Sequence, residues 1–347
     1  MKLYNRVNGD ELKHRIKASD EIRTTISFYK YYHILNPRIF RDHLYLLLDN
    51  LEVLGRIYIA KEGINAQVSV PTEKLEVLRE AMNTIDFLQG IRFNYAVEDD
   101  GKSFFKLVIK IRDKLVADGL HDDSFDVTDK GIHVNALQFN QLAENSETII
   151  VDFRNHYESE VGHFKGAITP DVETFRESLP IIENMLADKK DKNLLMYCTG
   201  GIRCEKASAY FKHKGFKNVF QLDGGIIEYA HQVQDQKLEN KFVGKNFVFD
   251  ERLGERINPE VISKCHQCGK TCDTHVNCAN NACHLLFIQC PECAAKYEAC
   301  CSEKCKDFNH LPEEERIVLR KTEVFSGTRF GKGRYKAFHK DQVLDVK

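Results

Sequence analysis

The stretch LLMYCTGGIRCEKASAYFKHKGF, residues 194–216, sets a cysteine between an apolar run and a helical pattern. Leu194 to Tyr197 reads as a short buried strand. From about Ile202, apolar Ala207, Tyr210 and Phe211 recur at helical spacing, and Gly215 offers a stop. Cys198 therefore falls in a strand-to-helix turn. The backbone N–H groups of residues 199–203 lack helical partners there and can point inward around the sulfur. Gly200 and Gly201 let the backbone close on an anion without side-chain clash. Thr199 and Ile202 complete the loop, and Arg203 is expected to add a positive charge at its rim. A thiol in such a cradle should be a thiolate near neutral pH.

These residues resemble the active-site loop of rhodaneses. Four residues separate Cys198 from Arg203. Related phosphatases use a loop one residue longer to hold a phosphate, and the shorter loop suits a persulfide or a sulfur oxyanion. TIIVDFRNHYESEVGHFKGAI (148–168) resembles the rhodanese entry segment, with Asp152 ending a strand and Arg154 and Glu158 following. VFQLDGGIIEY (219–229) resembles the closing strand and turn. The resemblance covers residues 130–235 and implies a rhodanese-like α/β catalytic domain. Cys198 and Arg203 are its expected catalytic residues, with Asp152 and Arg154 in support. Cys204 is a candidate thiol for resolving a persulfide or sulfenate on Cys198. The alternative is a helix residue packed toward the sheet.

The chain has 347 residues, a length for two or three domains. Fifty basic and 52 acidic residues nearly cancel, so any surface for nucleic acid must be local. No apolar run approaches membrane length, and MKLYNRVNGDELKHRIK has no apolar signal core. Ten of the twelve cysteines lie between Cys265 and Cys305. Clustering of that kind points to metal in a reducing compartment, not to disulfides, and the expected location is the cytoplasm.

After an N-terminal extension (1–21), residues 22–115 read as one small unit. TTISFYKYYHIL is strand-like, and PRIFRDHLYLLLDNLEVLG is amphipathic, with Pro37 suited to its first turn and Gly55 to its end. RIYIA and INAQVSV form a hairpin, PTEKLEVLREAMNTI is a second helix opened by Pro71, and FFKLVIKI is a last strand. The order βαββαβ predicts a ferredoxin-like or acylphosphatase-like α+β sandwich. A polar linker (116–129), the rhodanese-like unit (130–235) and a partly ordered connector (236–262) follow.

Residues 263–310 are the cysteine-rich region. Cys265/Cys268 and Cys290/Cys293 are C-x-x-C knuckles, whose sulfurs can face one ion in a tetrahedral S4 site of the structural-zinc kind. Cys278 and Cys283 with Cys301 and Cys305 offer a second set, and Cys272, Cys300, His275 and His284 are spare donors. Spacing leaves the pairing open. In the basic tail (311–347), TRFGKGRYKAFHK carries Arg329, Lys332, Arg334, Lys336 and Lys340, interleaved with Phe330, Tyr335 and Phe338. Cations that meet phosphates and rings that stack on unpaired bases are a way to grip single-stranded RNA.

The three units in this order, together with AKEGINAQVSV (60–70), CTGGIRCEKASAY, FVFDER and CHQCG, resemble the bacterial rhodanese-domain tRNA uridine hydroxylases over nearly the whole chain. That resemblance implies tRNA as substrate, molecular oxygen as co-substrate and 5-hydroxyuridine formation at the anticodon wobble position through Cys198. Read without it, the loop supports a thiosulfate-type sulfurtransferase carrying a persulfide on Cys198. A non-catalytic RNA-binding adaptor is a third class. The sequence contains no dinucleotide-binding glycine fingerprint, haem-attachment motif or two-His-one-carboxylate set, and no recognisable flavin motif.

Overall fold

The computed structural model describes residues 7–120 and 125–323, together with Phe325 and Tyr335. The five tail cations Arg329, Lys332, Arg334, Lys336 and Lys340 lie outside the described residues.

The N-terminal unit comprises α1 (Gly9–Ala18), β1 (Arg23–Tyr31), α2 (Pro37–Asn50), β2 (Leu54–Ala60), β3 (Gly63–Pro71), α3 (Leu75–Asn83), β4 (Asn94–Tyr95) and β5 (Leu107–Ile111). Its sheet runs β4-β1-β3-β2-β5, with β3 antiparallel to both neighbours and β5 parallel to β2. The first four strands make the expected ferredoxin-like sandwich. Leu44, Leu48, Ile57, Ile59, Ile64, Val68, Leu78 and Met82 form a buried core between one sheet face and α2 and α3.

Three local expectations are corrected here. The strand that closes the βαββαβ core is the two-residue β4, paired with Ile26 and Ser27. The FFKLVIKI stretch supplies β5 on the opposite edge instead. Two paired residues carry no readable periodicity, whereas five do. Gly55 does not end α2. The left-handed residue after that helix is Glu52 (φ 56°), and Gly55 lies in β2, where a Cβ would meet the Gln67 carbonyl oxygen at 2.3 Å. Pro71 ends β3, and a 3₁₀ turn (Thr72–Lys74) separates it from α3. Pro37 does open α2, with the Asn36 side chain accepting from the Ile39 N–H at 3.1 Å.

The central unit contains β6 (Ile132–Val134), α4 (Ala136–Glu144), β7 (Thr148–Asp152), α5 (His156–Ser159), β8 (Gly162–Phe164), α6 (Phe175–Met185), β9 (Asn193–Tyr197), α7 (Ile202–His213), β10 (Asn218–Leu222) and α8 (Gly225–Gln236). Its four-stranded sheet, β6-β10-β9-β7, is parallel throughout. Phe175, Leu179 and Ile182 of α6 pack with Ala207 and Phe211 of α7 in one core. Phe139 of α4 packs with Ile226, Tyr229 and Val233 of α8 in the other. The sheet between is buried on both faces, which is why β9 is apolar without a break from Leu194 to Tyr197. Gly215, with φ +86°, follows α7 as its stop.

β11 (Phe242–Asn246) returns antiparallel to β8, and β12 (Glu255–Arg256) pairs with β11. The cysteine-rich region folds as a short hairpin, β13 (His275–Asn277) and β14 (Leu286–Ile288), with α9 (Pro291–Tyr297), α10 (Glu303–His310) and α11 (Glu313–Thr322).

The segment expected as a linker is packed where it is described. Phe125 joins the α6–α7 core. Lys206 of α7, 1 % exposed, reaches Asp118 Oδ2 and Glu62 Oε2, each at 2.5 Å. One buried cation thus fastens the N-terminal unit and the 116–120 segment to the helix that follows Cys198.

Candidate active site

Cys198 ends the strand run and is fully buried. Its sulfur accepts the Gly201 N–H at 3.1 Å. Burial pushes the thiol up, but the neighbouring Cys204 thiol, the Arg203 guanidinium and the N–H groups of Cys204 and Arg203 outweigh it. The pKa falls to about 6. That direction agrees with the thiolate expected from the loop. The turn is locked from behind, because the Ile226 and Ile227 N–H groups donate to the Cys198 and Thr199 carbonyls at 3.1 and 3.2 Å. A Cβ on Gly225 would meet the Cys198 oxygen at 2.5 Å, so the glycine pair after β10 allows the close approach.

Arg203 is not a free charge at the rim. Its side chain is 11 % exposed and forks onto Glu158, which is 0 % exposed, with N–O distances of 2.7 and 2.8 Å. Thr199 Oγ1 joins them, 3.2 Å from Glu158 Oε2. Burial raises the Glu158 carboxyl, but Arg203 more than compensates and holds it below the usual carboxylate range. The correction has a simple cause. A guanidinium this close to a buried sheet must find a carboxylate, and the nearest comes from α5, 45 residues earlier. Glu158 is thus a site residue whose role the chain order conceals.

Asp152 and Arg154 are both fully buried but do not touch the sulfur. They pair with each other (Nη2–Oδ2 2.6 Å), Arg154 donates to the Gly162 carbonyl, and the Tyr197 hydroxyl donates to Asp152 Oδ2 at 2.8 Å. They hold the segment that presents Glu158. Cys204 is buried in the α6–α7 core against Cys198, and burial together with the neighbouring thiolate raises its own pKa.

The loop opens on a cavity of about 380 Å³ lined by the N-terminal unit, the central unit and the connector. Cys198, Thr199, Gly200, Ile202 and Arg203 form one wall, and Val248, Phe249, Asp250 and Arg252 of the connector form another. The third wall is the face of the N-terminal sheet turned away from α2 and α3, with Ser27, Tyr29, Arg56, Tyr58, Asn65 and Gln67. The sequence reading missed these six. Their signal was the polar residue at every second position of three consecutive strands. The Tyr29 hydroxyl donates to Glu205 Oε1 at 3.1 Å, and Glu205 belongs to a cluster with His133, Asp223 and Arg92 that also ties the two units together.

The cysteine-rich region brings together Cys265, Cys268, Cys290 and Cys293 in one set, and Cys278, Cys283, Cys301 and Cys305 in another. Within each set the sulfurs lie within 4.8 Å of one another, close enough to share a metal ion. Cys272 and Cys300 stand outside both sets. Tyr335, a described ring of the tail, stacks on Phe287 with centroids 5.8 Å apart. Among the described residues, no helix is long and apolar enough to cross a membrane.

A parallel sheet ending in a thiolate loop, set between an acylphosphatase-like unit and a cysteine-rich unit, defines a rhodanese-like protein of three parts. The family described as rhodanese-like domain matches residues 135–232. The UPF0176 acylphosphatase like domain matches 23–115, and the rhodanase C-terminal family matches 243–306. Over the whole chain the likeness is narrower. A tRNA uridine(34) hydroxylase of Photorhabdus laumondii is 55% identical over 335 residues, 96% of this chain and 95% of that one. Proteins of the same name from Pectobacterium carotovorum and Salmonella choleraesuis are 56% and 52% identical, over 92% and 99% of this chain and 90% and 98% of theirs. The chain belongs to the tRNA uridine(34) hydroxylase family.

Proposed function

We propose that this chain hydroxylates C5 of the wobble uridine in tRNA anticodons, with molecular oxygen as co-substrate and Cys198 as the group that engages the base. The observation that carries this reading is a thiolate of pKa about 6 at the wall of a cavity large enough for a small ligand. Uracil is unreactive toward electrophiles at C5. A thiolate that adds to C6 moves electron density to C5 and O4; C5 then takes one oxygen atom of O2, while the other leaves as water at the expense of an external two-electron donor. Loss of the C5 proton and departure of the thiolate from C6 restore the ring. Loop N–H groups are the donors for the enolate oxygen. Arg203, committed to Glu158, is a positioning residue instead. An anticodon loop makes unstacking of the target base cheap.

A second reading has its own support. Cys198 is 0 % exposed, and a persulfide would carry the reacting sulfur about 2 Å further into the cavity. The test uses an anticodon stem-loop with 5-fluorouridine at the target position. A cross-link to wild-type Cys198 under turnover supports addition to C6. No adduct, with a Cys198 persulfide consumed during turnover in intact-mass spectra, supports sulfur chemistry. Normal 5-hydroxyuridine formation by Cys198→Ser overturns both.

We also propose structural zinc in both thiol sets. Sulfur separations of 3.6 Å (Cys268–Cys290 and Cys301–Cys305) and 3.7 Å (Cys283–Cys301) match the edge of about 3.8 Å of a tetrahedron with Zn–S near 2.3 Å. Bound there, zinc would supply cohesion to a region with little apolar core. The N–H groups of Cys290 and Cys301 already donate to Cys265 and Cys278, both at 3.4 Å, as second-sphere groups do. Free thiols and a tRNA substrate both support a cytoplasmic location.

A further inference from the structure

In an antiparallel sheet every second residue points to the same face. The register of the N-terminal sheet sets two rows of such residues side by side on the cavity wall. Asn94, Ser27, Gln67 and Arg56 form one row across β4, β1, β3 and β2. Tyr29, Asn65 and Tyr58 form the next across β1, β3 and β2. All of them line the cavity. The opposite face carries the apolar core against α2 and α3, so fold stability does not require amides here.

Among the described residues, the half-buried side chains of Asn65 and Gln67 make no hydrogen bond to another protein group, and the buried Asn94 Oδ1 has no partner. Buried amide groups are ordinarily satisfied, so the open Asn94 Oδ1 is an acceptor left for a bound partner, and the half-buried Asn65 and Gln67 present amides to the cavity that no protein group has claimed. The Tyr29–Asn65–Tyr58 row also abuts the thiolate loop. A Cβ at position 201 would lie 2.8 Å from the Tyr29 hydroxyl, which is a reason for glycine there beyond its φ of +100°.

We propose that these two rows read the target uracil, an inference that rests on the tRNA reading above. The Watson–Crick edge of uracil presents an N3–H donor between two carbonyl acceptors. A carboxamide matches it with two parallel bonds, its oxygen accepting N3–H and its NH2 donating to a carbonyl. Asn65 and Gln67 supply that recognition from β3, and the neighbouring tyrosines offer ring surface for stacking. C5 and C6 lie on the edge opposite N3. A base held by its Watson–Crick edge against the sheet therefore turns C5 and C6 toward the other wall, where the Cys198 loop stands. The N-terminal unit is in this account the specificity half of the site.

The test measures binding of two anticodon stem-loops that differ only at position 34, one with uridine and one with 3-methyluridine, by fluorescence anisotropy. Wild-type protein should prefer uridine by roughly tenfold to a hundredfold, the value of a paired base-edge contact. Asn65→Ala or Gln67→Ala should bring that ratio to within about threefold, while the isosteric Asn65→Asp or Gln67→Glu should weaken the uridine loop specifically. The pH midpoint of Cys198 alkylation, which reports the intact loop, should not move in these variants. The inference is overturned if wild type does not distinguish the loops. It is also overturned if both alanine variants keep the wild-type ratio, or lose affinity for both loops equally. A protein that prefers uridine in binding yet forms no 5-hydroxyuridine would overturn the proposed reaction and leave base reading intact.

Discussion

Arg203→Gln and Glu158→Gln break the same buried pair from opposite sides and should move the Cys198 thiol in opposite directions. The pair is bidentate, with Glu158 0 % and Arg203 11 % exposed, so solvent does little to replace a lost partner. Removing one member of such a pair costs about 3–5 kcal/mol. Glu158 keeps contacts to the Asn155 N–H and Thr199 Oγ1, at 3.1 and 3.2 Å, so Arg203→Gln belongs near the lower figure. An opposite charge within a few ångströms typically lowers a pKa by about 1–3. Part of the Arg203 field is cancelled by Glu158, so the Cys198 midpoint should rise from about 6 to about 7 in Arg203→Gln. At pH 6.5 the thiolate fraction would fall roughly threefold on that shift. Glu158→Gln leaves the guanidinium uncancelled and should carry the midpoint below its wild-type value, while it also lowers stability. The assay is the pH profile of iodoacetamide alkylation, followed on the Cys198 peptide by mass spectrometry, beside urea unfolding. The reasoning fails if both variants shift the midpoint the same way, or if Arg203→Gln costs less than about 1 kcal/mol.

Cys204→Ala removes the thiol that does most to offset burial at Cys198, so the alkylation midpoint should rise while repeated turnover persists; one-cycle arrest with an unchanged midpoint would make Cys204 a resolving thiol instead. His133 lies between Asp223 and Glu205, and these carboxylates outweigh burial to raise its pKa from 6.5 to about 9. A raised folded pKa contributes stability fully below the unfolded value and loses it as pH climbs, so unfolding midpoints should drop between about pH 7 and 9, and His133→Gln should flatten that slope. Elemental analysis of purified protein should find two zinc ions per chain, and a value well below one would refute both sites. Truncation after Val324 should weaken tRNA binding and reduce its salt dependence, since the five tail cations are proposed to meet phosphates; unchanged affinity across a salt series would make the tail a bystander.

Features set by near neighbours were legible in the sequence. The thiol at a strand-to-helix turn needs only an apolar run, two glycines and a helical pattern, all within residues 194–216. Knuckle spacing showed that Cys265 with Cys268, and Cys290 with Cys293, could each turn two sulfurs to one ion, while the grouping of all eight cysteines into two sets came from the fold. What the sequence could not determine was which distant group each charge and each open edge would meet. The closing strand of the N-terminal sheet rests on two residues, below any periodic signal, and only pairing with β1 defines it. Arg203 reads as a rim cation until the fold brings Glu158 beside it. The cavity exists only where three segments converge, and the alternating polar residues of β1, β2 and β3 become a binding face only because register aligns them opposite the Cys198 loop. Local chemistry is written in a few consecutive residues, while the cost of burying a charge or an amide is settled by whatever the chain folds against it.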